Sequence, residues 1–118
     1  MSSDKQLVDF TTLTEMLYGE TAYIKEFAEA ALTSFREFQE NYSQFLLSRD
    51  EVNFRKTGHK IKPVAQMLGL EIILDEYEHA KALIWEEKDT KDLQTAVQKM
   101  DEICEKVLSE LKEISQQA

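Results

Sequence analysis

The chain has 118 residues, enough for one domain with one core, and its 42% hydrophobic and 31% charged content suits a water-soluble globular protein. A net charge of −9 argues against nucleic-acid binding, because an acidic surface repels phosphate backbones. The absence of a long apolar run excludes a membrane span, the first residues lack the apolar core of a secretion signal, and a lone Cys104 cannot form an internal disulfide, so a cytoplasmic protein is expected.

Three Gly and one Pro punctuate a chain rich in helix formers. A short helix is expected over about Thr12 to Tyr18, with Thr12 and Glu15 as a capping box, Leu13, Met16 and Leu17 as its apolar side, and Gly19 as its stop. The second helix runs from about Thr21 to Leu47, where Ile24, Ala28, Ala31, Phe35, Phe38, Tyr42 and Phe45 recur in steps of four and three. Asp50 is placed to cap a third helix, about Glu51 to Leu68, with the stripe Phe54, Gly58, Ile61, Ala65 and Leu68, and Gly69 is placed to end it. A fourth helix, about Glu71 to Trp85, carries Leu70, Ile73, Tyr77, Ala80 and Ile84 as its apolar side, and Trp85 is expected to pack. The last, about Lys91 to Ser115 after a cap at Asp89 or Thr90, uses Leu93, Val97, Met100, Cys104, Val107, Leu111 and Ile114. Short turns between long amphipathic helices imply an all-α, antiparallel up-down four-helix bundle with a short extra N-terminal helix, one domain over 1–118 with its core at about 8–115.

His59 falls on the wrong face for a core residue. At about 100° per residue, Phe54, Ile61 and Leu68 lie roughly opposite it, while Val52, Arg55, Lys56, Lys62, Pro63 and Gln66 lie within about 60°. Arg55, Lys56, Lys60 and Lys62 make a cationic island on an acidic chain, which asks for an anionic ligand or partner surface. Crowded cations disfavour imidazole protonation and keep the ring nucleophilic, and Lys62, one turn on, can meet phosphoryl oxygens as a point charge. A lone surface histidine among solvated charges is the plainer reading of the same residues. Glu76 and His79 have the Glu-x-x-His spacing of bundle metal sites, but no second copy exists, so no metal site is expected.

The stretch Gly58-His59-Lys60-Ile61-Lys62-Pro63-Val64-Ala65-Gln66-Met67-Leu68-Gly69 resembles the signature of histidine-containing phosphotransfer (HPt) domains, with His59, Ile61, Lys62, Leu68 and Gly69 in register. The order of helices is similar as well, over roughly Val8 to Ile114. The resemblance implies a monomeric phosphorelay carrier without autokinase activity or cofactor, taking a phosphoryl group on His59 Nε2 from a receiver-domain aspartate and passing it to another receiver. It implies that Lys62 and Gln66 stabilise the phosphoryl group beside the basic residues Arg55 and Lys56. Val52, Pro63 and Met67, with the first helix, would form the apolar rim where the receiver domain of a response regulator or hybrid histidine kinase docks, bringing its own Mg²⁺. Pro63 stands where the family usually has Gly, and a proline there removes the partner of the His59 carbonyl, so a kink is expected. The alternative reading is a helical interaction module that docks receivers without carrying phosphate.

Overall fold

A computed structural model describes residues 6–117, so the reading of residues 1–5 as free of a secretion signal lies outside the described residues. Five helices follow in order: α1 (Phe10–Met16), α2 (Thr21–Leu47), α3 (Glu51–Met67), α4 (Glu71–Trp85) and α5 (Thr90–Gln117). Among the described residues there is no strand, and no helix is long and apolar enough to cross a membrane. The four long helices pack in a closed circuit, α2 on α3, α3 on α4, α4 on α5 and α5 on α2, with the broadest contact between α2 and α5.

The expected stripes are the core. Ile24, Ala28, Ala31, Phe35, Phe38 and Tyr42 of α2 are buried, as are Phe54, Ile61, Ala65 and Leu68 at α3, Leu70, Ile73, Tyr77, Ala80 and Ile84 at α4, and Leu93, Met100, Cys104, Val107, Leu111 and Ile114 of α5. Phe45 and Val97 are only half-buried, and Leu46, Ala96 and Ile103 join the interior beside them. Tyr42, Phe54 and Tyr77 form a run of rings across the bundle, with centroids 5.1 Å apart between Tyr42 and Phe54 and 4.9 Å apart between Phe54 and Tyr77. Such contacts add modestly to the burial of large apolar rings.

The helix ends share one device. After α3, Gly69 adopts φ +68°, the Leu70 N–H donates to Ala65 O and the Gly69 N–H to Gln66 O, which satisfies two carbonyls of the last turn. The same bonds close α1, α2 and α4, but there the left-handed position is held by Tyr18 (φ 55°), Arg49 (φ 57°) and Glu87 (φ 54°). Those three residues bear a backbone cost that glycine avoids.

Three expectations need correction. Asp9, not Thr12, caps α1: its carboxylate accepts both the Thr12 backbone N–H at 3.0 Å and the Thr12 hydroxyl at 2.7 Å, so the helix starts two residues earlier than the capping-box pattern indicates. These bonds hold the Asp9 carboxyl below its ordinary value, the backbone N–H contributing most. Met16 faces outward, because α1 has a single buried position at Leu13. Trp85 does not pack; it is 73% exposed, because it projects beside the α4 stripe rather than along it.

An N-terminal strap sets the position of α1. The Leu7 and Val8 amides donate to the Glu110 carboxylate at 2.8–3.0 Å, Val8 is buried, and the Asp9 amide donates to Leu68 O at 2.8 Å. The strap therefore ties α5 to the end of α3, beside Gly69. A Cβ on Gly69 would sit 2.9 Å from Asp9 Cβ, so glycine is needed for the close approach as well as for φ.

Candidate functional site

The α3 sequence presents His59 to solvent for a simple reason. Phe54, Thr57, Gly58, Ile61 and Ala65 take the buried face, and His59 and Lys62 are left outside it. Thr57 is a polar residue on that buried face, and its hydroxyl donates to Asn53 O at 2.9 Å, one turn back. Asp50 caps the helix by accepting from the Asn53 backbone and side chain, as its position before the apolar stripe indicates.

Beside His59 lies a groove of about 400 Å³ between α3 and α4. Arg55, Gly58, His59 and Lys62 line one wall, and Leu74, Asp75, Tyr77, Glu78 and Lys81 the other. Of the residues singled out in the sequence, the groove thus gathers Arg55, His59 and Lys62. Lys56 and Gln66 are exposed on α3 outside it, as are Val52 and Pro63, with Met67 half-buried. Val52 and Met67 lie near opposite ends of α3, about 22 Å apart along the axis, so the expected rim is a long edge rather than a patch. The helix runs unbroken through Pro63 to Met67.

Gly58 sets how closely α4 approaches α3 at the groove. Its missing side chain admits the Tyr77 ring directly onto the α3 backbone: a Cβ there would stand 2.5 Å from Cε1 and Cε2 and closer still to Cζ. The Tyr77 hydroxyl donates to Phe54 O at 3.3 Å, and the ring stacks on Phe54. Burial, with Glu78 adding to it, pushes the Tyr77 phenol up, so at neutral pH it serves as a donor. Glycine before the histidine is therefore occupied by the protein's own tyrosine and is not left open for a partner.

The charge pattern is also more mixed than the sequence indicates. Lys60 turns away to pair with Glu37 of α2, and Arg55 Nε lies 3.9 Å from Glu51, so the four-cation island does not act as one unit. Among the described residues, Lys56 and Lys62 enter no salt bridge. On the α4 wall, Lys81 is 2.9 Å from Glu78 and 5.7 Å above the Tyr77 ring. Lys81, Asp75 and Glu78 were not legible as site residues, since nothing in a helical projection of α4 says which neighbour it faces. The one available signal was the spacing of Leu74, Glu78 and Lys81 beside the Tyr77 stripe.

Other surfaces offer less chemistry. A wider depression of about 820 Å³ between α2 and α5 includes Asp101 and Glu105 but no histidine or cysteine, and the Gln39 amide already donates to both carboxylates at 3.1 Å. Glu76 pairs with Lys99 at 2.8 Å rather than with His79, and among the described residues no group of three metal-ligating side chains occurs. Cys104 is buried, and its thiol is pushed up to about 12 by burial, with Asp101 and Glu105 adding to it, which removes it as a nucleophile at neutral pH. No protein-family model matches the chain, and neither a curated protein nor a solved structure matches it.

Proposed function

We propose that this chain is a histidine-containing phosphotransfer domain: an antiparallel up-down four-helix bundle with a short N-terminal helix that carries a phosphoryl group on His59 between receiver domains in the cytoplasm. The observation that carries this reading is an exposed imidazole beside a groove lined by Arg55, Lys62 and Lys81 together with the carboxylates Asp75 and Glu78. The closed circuit of long helices with short connections supports the bundle, and the His59, Ile61, Lys62, Leu68, Gly69 register supports the family.

In the proposed reaction, the His59 Nε2 lone pair attacks the phosphorus of a receiver's aspartyl phosphate. The new P–N bond forms as the P–O bond to the aspartate breaks, and that carboxylate leaves with the bonding pair. The imidazole keeps its proton on Nδ1, and the reverse step returns the phosphoryl group to a second aspartate. The receiver's bound Mg²⁺ supplies charge neutralisation at the transferring group. This chain's part is positioning: α3 holds the imidazole outward, and Lys62, assisted by Lys81 from α4, meets the phosphoryl oxygens. Gln66 adds a hydrogen-bond donor one further turn along α3. The domain has no nucleotide site of its own and acts as a monomer.

The test is phosphorylation by phosphoramidate, a small donor that needs no docking, followed by transfer to and from receiver domains. Wild type should acquire acid-labile label, and His59→Ala should acquire none while keeping its melting temperature, because the side chain is outside the core. Lys62→Ala should slow transfer with little change in stability, as exposed charges contribute weakly. Label on wild type and His59→Ala alike would overturn the assignment.

A further inference from the structure

The groove beside His59 carries carboxylates as well as cations, and the two carboxylates are not equivalent. Arg55, Lys62 and Lys81 face Asp75 and Glu78, so the groove holds only a slight excess of positive charge. Arg55 Nε lies 3.9 Å from Glu51, while Lys62 and Asp75 enter no salt bridge among the described residues. Lys81 differs from both other cations in being held by a carboxylate of the groove itself: its Nζ is 2.9 Å from Glu78 Oε1, one turn back on α4. The same ammonium stands 5.7 Å above the Tyr77 ring, which lies against Gly58, the residue before His59. The Glu78 side chain is 63% exposed, so its grip on Lys81 is that of a surface pair, which contributes little in water. A phosphoryl group on His59 offers up to about two negative charges and three oxygens, a stronger acceptor than one carboxylate. A lysine carries its donors on a flexible stem, so Lys81 can change partner without movement of the backbone.

We propose that Glu78 is a positioning residue that holds Lys81 in reserve and sets how tightly the site keeps its phosphoryl group, because Lys81 must leave Glu78 to meet the oxygens on phosphorylated His59. This rests on the phosphocarrier reading. The competition subtracts the strength of the Glu78–Lys81 pair from what Lys81 gives the phosphoryl group. The phosphohistidine is therefore less stable, and more readily given up, than the three cations alone would make it. Asp75 repels the same phosphoryl group but restrains no cation of the groove, so it acts through its charge alone. Lys62 has no carboxylate to leave and meets the phosphoryl group without that cost. Glu78 thus favours passing the group on over storing it.

The experiment incubates the chain with phosphoramidate and excess ammonium, so that phosphoryl transfer to His59 is reversible, and reads the ratio of phosphorylated to free chain by intact mass. Glu78→Gln should raise that ratio about threefold, the effect of removing one exposed pair. Lys81→Ala should lower it, and Glu78→Gln in the Lys81→Ala background should lose most of its gain. Asp75→Asn, which removes the same charge without releasing a cation, should raise the ratio by less than Glu78→Gln does. The ³¹P resonance of the phosphohistidine should move with Glu78→Gln only where Lys81 is present, a readout that a merely structural role would leave unchanged. Glu78 and Asp75 are exposed, so melting temperatures should stay near wild type. An equal gain from Glu78→Gln in both backgrounds, a gain matched by Asp75→Asn, or no gain at all overturns the inference. If folded wild type takes no label, the phosphocarrier reading itself fails, and the inference with it.

Discussion

Replacing Gly58 by alanine is the sharpest test of how the site is built. In an ordinary helix the change stabilises by about 1 kcal/mol, because alanine has the better helix propensity. Here the new Cβ would stand 2.5 Å from Tyr77 Cε1 and Cε2 and closer still to Cζ, where carbon atoms need about 3.5 Å, so the ring must retreat by more than about 1 Å. It has little room to do so: Tyr77 is buried, stacked on Phe54, and bonded to Phe54 O. Overpacking costs about 1–3 kcal/mol, and a displaced, partly buried hydroxyl adds about 1–2 kcal/mol. After the propensity gain, the net loss is about 1–4 kcal/mol, or roughly 10 °C in melting temperature at mid-range for a domain of this size. Urea unfolding followed by circular dichroism measures it. The same substitution in a Tyr77→Leu background, whose side chain stops short of the clash, should be neutral or mildly stabilising. If Gly58→Ala stabilises in both backgrounds, the ring does not lie on the α3 backbone and the account of the groove is wrong.

Three further outcomes follow from the core and the turns. The Tyr42 hydroxyl is buried without a hydrogen-bond partner, and burial pushes its phenol up, so Tyr42→Phe should raise stability by about 1 kcal/mol; a loss of similar size in the unfolding midpoint would point to a bound water there. The Cys104 thiol titrates near 9.0 when unfolded and about 12 when folded, so its contribution is intact below pH 9 and declines as pH rises toward 12. Urea midpoints of wild type should fall more steeply above pH 9 than those of Cys104→Ala, and parallel slopes would refute the buried, protonated thiol. Glu87→Gly relieves a left-handed residue after α4 and should stabilise by about 0.5–1 kcal/mol in thermal unfolding, with a destabilised variant contradicting the turn geometry.

Helix number, order and faces were readable in the chain because each long helix has to bury one stripe, and the spacing of Ile24, Phe35 and Tyr42, or of Phe54, Ile61 and Leu68, leaves little choice of face. The outward placement of His59 followed from the same arithmetic. Caps were readable where one side chain does the work, as at Asp50, and misread where two candidates compete, as with Asp9 and Thr12. Three non-glycine residues in left-handed turns carried no such signal, since the following helix imposes that conformation on Tyr18, Arg49 and Glu87.

What lay beyond the sequence was everything that depends on which helix stands beside which. Periodicity says that Tyr77 is inward, but only the packing of α4 on α3 puts its ring on Gly58 and turns a small residue into a docking point for the protein's own core. The same packing brings Asp75, Glu78 and Lys81 to His59, while Glu37 on α2 draws Lys60 away from it. A chain's hydrophobic pattern determined its helices and their buried faces, because burial is a property of one helix at a time. The charge around the histidine was decided by tertiary structure, because that field is summed over neighbours in space and not along the chain.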